Sequence, residues 1–400
     1  MSKNRNEHIE HKYEIDDEIE HSFNDPLGIP SELDIHNIFK NKCSEYDIKY
    51  VPAIMSKVDK IIVFGDIHGD YELTINMFEA ANLIEYDGKK YNWKGGKTHV
   101  VQMGDQVDRC RQMPDGPLCK EKEATDNDED SDVKILKLMT RLDEQARKVG
   151  GMVISLLGNH ELLNAAGYMN YVSYEGLKGF EDYVDPKTGK TFENGMIART
   201  HAFAPGNEYG KLLGCTRYPA VIIGSNIFVH AGIIDGLIDD LRMSDSSDIE
   251  KINKKLRLWL LGLLDESYVS HLISTTDVNS MFWTRVLGKI KPGVPLDSDI
   301  CQENLSNALE IFHIEGDTSD MHMMIAHTPT SFMHSDDINS TCGGRIWRVD
   351  NGSSKAFDKF DAQYVSTNNR SFSRRAQYLK ILNDNEFYVC DADECKLQQN

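Results

Sequence analysis

The sequence predicts an α/β fold, more fully α+β with mixed sheets, and three observations carry the prediction. Short apolar runs alternate with helical stretches early in the chain, the pattern of strands joined by helices. Later apolar runs come in neighbouring pairs, which adds antiparallel sheet. Polar clusters recur directly after the apolar runs, where layered α/β folds build ligand sites.

Residues 1–46 are rich in Glu, His, Asn and Lys and read as a polar N-terminal tail or loosely docked arm. Lys60 to Phe64 is an apolar run ending in Gly-Asp, a buried strand followed by a loop. Asp70 can cap a helix with Leu73, Met77, Phe78 and Ala81 on one side. A second strand, Thr98 to Met103, again ends in Gly-Asp. Residues 121–132 hold seven carboxylates and one lysine and read as a solvated acidic loop.

Ser131 is the expected cap of a helix that places Val133, Leu136, Met139, Leu142 and Ala146 or Val149 at helical spacing, with Gly150 as its stop. Met152 to Leu157 is a third strand, ending in Gly-Asn, and residues 162–213 read as a helical or irregular insertion. Val221 to Val229 reads as two strands broken at Gly224-Ser225-Asn226, and Ile252 to Leu264 as an amphipathic helix. Met321 to Ala326, Arg345 to Val349 and Gln377 to Val389 read as late strands, the last folded at an Asn383-Asp384-Asn385 turn. One catalytic domain over 47–391, with 392–400 as a C-terminal tail, accommodates these elements.

A net charge of −20 with no basic patch disfavours nucleic acid and anionic membrane surfaces as partners. No apolar run approaches a transmembrane span, and the N-terminus has no signal-peptide core, so a cytoplasmic protein is expected. The eight cysteines are scattered without a CxxC pair, which excludes zinc ribbons and predicts reduced thiols in a reducing compartment.

The chemistry lies in Gly65-Asp66-Ile67-His68-Gly69, Gly104-Asp105-Gln106-Val107-Asp108-Arg109 and Gly158-Asn159-His160-Glu161, with His230 and His327 each following a later strand. Singly these are weak signals; in this order, each at a strand end, they are strong. The order resembles the calcineurin-like metallophosphoesterases of the serine/threonine phosphoprotein phosphatase superfamily, nearest the bacterial-type Shewanella-like protein phosphatases. Ala202-Phe203-Ala204-Pro205-Gly206, Phe228-Val229-His230-Ala231-Gly232, Cys342-Gly343-Gly344-Arg345 and Val349-Asp350-Asn351-Gly352-Ser353 carry the branch resemblance. Cys110, Ala231 and Ala326 stand where the pattern has glycine, and none of them removes a ligand.

The resemblance implies a sandwich of two mixed β-sheets flanked by helices. It implies two divalent metal ions, with Asp66, His68 and Asp105 on the first and Asp105, Asn159, His230 and His327 on the second. This oxygen and nitrogen donor set suits Mn, Fe or Zn, with Mn the expected activator from the family. Water bridging two such ions loses its proton near neutral pH and attacks phosphorus. Arg109 would clamp the phosphoryl oxygens, joined by Asn159 and by Arg285, with Arg217 as the rival second arginine. His160 would be the general acid, with Asp108 hydrogen-bonded to it to hold its proton.

The expected activity is phosphate monoester hydrolysis on a phosphorylated protein or peptide, at Ser, Thr or Tyr. The oligomeric state stays open. A second reading keeps the site but takes a dinucleoside polyphosphate or small phosphate ester, with Tyr168, Tyr171 and Tyr174 as a wall for the base. A third is a catalytically silent, metal-containing module that binds phosphoproteins.

Overall fold

Strand Lys60–Phe64 shows how the fold is layered. Its alternate side chains take opposite faces, as the strand period requires. Ile61 and Val63 join a core shared with Ile222, Phe228, Met324 and Trp347 of a second sheet, whereas Ile62 and Phe64 face helices on the other side. The computed structural model describes residues 26–29, 34–47, 50–312, 320–333, 335–361 and 375–398.

Among these, a seven-stranded mixed sheet runs in the order Cys395–Leu397, Glu386–Cys390, Tyr378–Leu382, Lys60–Phe64, His99–Gln102, Met152–Leu156, Arg217–Tyr218. Its central members, Lys60–Phe64, His99–Gln102 and Met152–Leu156, are parallel. A six-stranded mixed sheet runs Ile54–Met55, Ala220–Ile223, Asn226–Val229, His322–Ile325, Ile346–Arg348, Asn339–Thr341. There Asn226–Val229, His322–Ile325 and Ile346–Arg348 are parallel. Two mixed sheets with flanking helices match the predicted architecture.

Helix Tyr71–Ala80 starts where its cap predicts, with the Asp70 carboxylate accepting from Leu73 N–H. Its Phe78 ring is wholly buried, 4.9 Å from that of Phe64, so truncation to Ala would cost about 3–5 kcal/mol. Helix Asp132–Arg147 follows Ser131, but the Ser131 hydroxyl donates to Gly69 O and caps nothing. The 162–213 region is helical, with Asn159–Ala165 running into it, followed by Tyr174–Lys178, Gly195–Phe203 and Glu208–Thr216. The helix expected from Ile252 starts earlier, at Ser247, and ends at Leu260. The 383–385 turn forms, with Asn383 and Asp384 at φ of 52° and 77°. The Asp384 carboxylate accepts from Ser225 N–H and hydroxyl and from Asn226, tying one sheet to the other.

Three expectations need correcting. The acidic segment is solvated only in part: Glu121, Lys122, Glu123 and Asp126 are exposed, but Glu129 accepts from Arg109 and Tyr71 N–H, Asp128 from Glu175 N–H, and Asp132 pairs with Arg199. These partners lie far along the chain, so composition alone read the segment as surface. Of the two readings of the N-terminal stretch, its described part fits the docked arm, whereas the expected C-terminal tail carries a strand. In the first 46 residues, helix Ile35–Lys42 docks through Phe39 over the Arg257 guanidinium, and Cys395–Leu397 extends the first sheet. Residues 1–25 and 30–33 of the arm lie outside the described residues.

Third, the cysteines are paired, as Cys43–Cys215, Cys110–Cys119, Cys301–Cys342 and Cys390–Cys395, with none free. Cys43 and Cys215 are 172 positions apart, a proximity that only the tertiary fold creates.

Candidate active site

The five expected loops leave the carboxyl ends of parallel strands. Residues 65–69, 104–109 and 158–161 follow the three central strands of the first sheet, and His230 and His327 follow adjacent strands of the second. The two sheets therefore aim their loops at one place, the crevice outside the strand ends.

The loops fit closely. A Cβ on Gly158 would sit 2.2 Å from Asp105 Oδ1, so only glycine allows that approach. His68, Asp105, Asp108 and His327 are non-glycine residues at positive φ, between 49° and 71°. Such conformations cost of order 1–3 kcal/mol each and persist where the surroundings dictate them. Glu161 supplies part of that constraint. Its carboxylate accepts from the N–H groups of Asp105, Gln106, Val107 and Gly158, clamping two loops together. Burial and the Asp105 charge push its carboxyl up to about 7, against donors that favour the anion.

Six expected metal ligands converge. His230 Nδ1 lies 2.8 Å from Met103 O, which places its proton there and leaves Nε2 bare. That Nε2 is 3.3 Å from Asp105 Oδ2 and 2.9 Å from Asn159 Oδ1. His327 Nδ1 is 2.9 Å from the same Asn159 oxygen. His68 Nε2 lies 3.8 Å from both Asp66 Oδ2 and Asp105 Oδ2. Facing lone pairs repel unless a cation lies between them. Two groups have ligand atoms close enough to share an ion, His68 with Asp105 and His160, and Asp105 with His230 and His327. Asp105 belongs to both. The first group holds His160 in place of Asp66.

Asp66 Oδ1 and His327 Nε2 are buried without a hydrogen-bond partner, as donor atoms suited to a cation would be. Burial, then the neighbouring Asp350 and Asp105, raises Asp66 well above the usual carboxylate range. Burial also pushes Asp350 up to about 6. Burial raises Asp105 too, but His230, His160 and His68 outweigh it and hold it well below that range. His327 is depressed by burial and then by Arg285, whereas Asp105 lifts His230 against its burial. A bound divalent ion relieves the crowding of carboxylates.

His160 sits beside this cluster. Its Nδ1 is 2.8 Å from Asp108 Oδ2, and its backbone N–H donates to Asp105 Oδ1. Asn164 donates to Asp108 Oδ1, and Arg199, itself buried, bonds Asn164 Oδ1, Asp108 and Asp132. The imidazole is thus held by a carboxylate that is held in turn.

The arginines divide. Arg285 lines the pocket and donates to His327 O. Its rival Arg217 is buried away from the pocket on Gln106, Thr140 and Leu136 O. Arg109 does not line the pocket. Its guanidinium is 2% exposed and bonds Gly69 O and Glu129, so the position expected to clamp phosphate faces inward.

Sequence reading missed Arg111, Trp283 and Phe357, which line the pocket, and Asp350 beside Asp66. For Arg111 the signal was its spacing, two residues beyond Arg109. Of the tyrosines considered for a base-binding wall, Tyr171 lines this pocket, edge-on to His160, and Tyr168 lines a neighbouring groove. Tyr174 lies under the Lys178 ammonium.

The calcineurin-like phosphoesterase profile matches residues 59–282. An uncharacterized protein of Acanthamoeba polyphaga mimivirus is 35% identical over 260 residues, spanning 62% of this chain and 95% of that protein. Shewanella-like protein phosphatase 2 of Arabidopsis thaliana is 24% identical, over 75% of this chain and 72% of its own. The cold-active protein-tyrosine phosphatase of a psychrophilic Shewanella superposes with a TM-score of 0.57 at 18% identity, covering 87% of this chain and 83% of its own.

Proposed function

The chain belongs to the calcineurin-like phosphoesterase family, and on that premise we propose that it is a metal-dependent protein phosphatase hydrolysing phosphate monoesters of Ser, Thr or Tyr. The observation that carries this reading is Asp105, one buried carboxylate common to two potential ligand groups. Asp66, His68 and Asp105 would hold one ion and Asp105, Asn159, His230 and His327 the other, with Mn²⁺ as the activating metal. Bound there, the pair supplies an activated water and neutralises the phosphoryl charge.

The chain's own groups supply the rest. His160 donates a proton to the leaving oxygen from Nε2, since Nδ1 is engaged with Asp108. Asp108 fixes the imidazole and compensates the charge on it. Arg285 reaches the pocket from the side of His327 and places a fork-shaped cation toward phosphate oxygens. Phe332, Phe357 and Trp283 give the pocket apolar walls that limit water.

Four disulfides favour an oxidising compartment over the cytoplasm expected from the sequence. Among the described residues no helix is long and apolar enough to cross a membrane.

The test is a panel of phosphoserine, phosphothreonine and phosphotyrosine peptides beside a dinucleoside tetraphosphate, assayed with and without Mn²⁺. Metal-dependent release of phosphate from a peptide is expected. Turnover of the dinucleotide alone, or of nothing, would overturn the proposal.

A further inference from the structure

The geometry points to Arg111, and not Arg109, as the arginine that grips the phosphoryl group alongside Arg285. This rests on the phosphatase reading and names a binding residue within it. Two arginines emerge from the same loop and have opposite surroundings. Arg109 is committed elsewhere: it is buried outside the pocket, and its Nη1 donates to Gly69 O at 2.9 Å and pairs with Glu129 at 3.0 Å. Glu129 is itself fixed by Tyr71 N–H, so the acidic segment holds Arg109 from one side and the 65–70 loop from the other.

Arg111 is built the other way. Cys110 is pinned by its disulfide to Cys119 and by its N–H to Tyr171 O, and from that fixed point the next residue enters the pocket beside His68, Asp105 and His160. Its Nη1 donates to Asp108 O at 3.1 Å and Cys110 O at 2.9 Å, and its guanidinium lies over the Phe357 ring at 4.9 Å. Among the described residues no carboxylate forms an ion pair with Arg111, and its Nη2 and Nε make no hydrogen bond. A planar cation held through one nitrogen and one ring face, with its remaining donors free in a pocket of metal-ligand type, is preorganised for an oxyanion. It needs no rearrangement, whereas Arg109 could reach phosphate only by leaving Glu129 unpaired.

The test uses the full-length, metal-loaded protein and three variants, R111Q, R109Q and R109Q/E129Q. The double variant removes both charges of the pair, which keeps the comparison available should R109Q fold poorly. Calorimetric titration with inorganic phosphate is read beside kcat/KM on p-nitrophenyl phosphate and metal content. R111Q is expected to bind phosphate on the order of 10–100-fold more weakly, with kcat/KM lower by on the order of 10²–10³ and metal content unchanged. The Arg109 variants are expected to bind phosphate within a few-fold of wild type. Wild-type phosphate affinity in R111Q would overturn the inference while the activity of the parent protein upheld the functional reading. So would a loss in the folded Arg109 variants as large as that in R111Q. No phosphate release by the metal-loaded parent would overturn both.

Discussion

His160 Nδ1 and Asp108 Oδ2 lie 2.8 Å apart, and both are buried. The contact commits one ring nitrogen to a carboxylate and turns the other toward the pocket. His160→Asn should therefore retain metal while turnover falls by on the order of 10²–10⁴, the usual size of acid catalysis. The loss should shrink for substrates with very good leaving groups, which a series of aryl phosphates measures. A change confined to KM would contradict the role.

Behind Asp108 stands Arg199, fully buried and paired with Asp132 at 2.7 Å and Asp108 at 3.4 Å. Replacing it with Met strands two carboxylates without their cation. Stability should fall by about 3–5 kcal/mol, as for other broken buried pairs. Urea unfolding measures this, and an unchanged midpoint would show that the network carries no such strain.

The pairing of Cys43 with Cys215 ties the docked N-terminal helix to the body across 172 positions. Cys43→Ser should lower stability by about 2–5 kcal/mol through the longer free loop of the unfolded chain. Thermal melts of the parent with and without reductant should separate, and those of an already reduced chain should coincide. Identical parent melts would mean that the cysteines are not bonded in the purified protein.

Acid should weaken the fold through His322, which burial pushes down to about 4. The unfolded chain binds that proton near its ordinary value of about 6.5 while the folded chain does not. The stabilisation is therefore complete above about 6.5 and is lost as pH falls toward 4, by on the order of 3 kcal/mol. His322→Gln should flatten the stability profile across that window. An equally steep profile in the variant would assign the acid sensitivity to other groups.

Much of the site was legible because each loop follows its own strand, so a local pattern marked Asp66, Asp105, Asn159, His230 and His327 before their convergence was known. The first strands and the Asp70 cap were legible for the same reason, since period and capping are local. What sequence missed is long-range. Glu129 turns Arg109 inward from 20 positions away, and Asp350 meets Asp66 only because two sheets face each other. The disulfides were hidden likewise, because no spacing rule relates Cys301 to Cys342.

Elemental analysis of purified wild type beside Asp105→Asn, with turnover measured on the same samples, tests the shared carboxylate most directly. Two divalent ions per chain are expected in the parent and, in the variant, a loss of metal and activity together. An Asp105→Asn protein that kept both ions and full turnover would contradict that expectation.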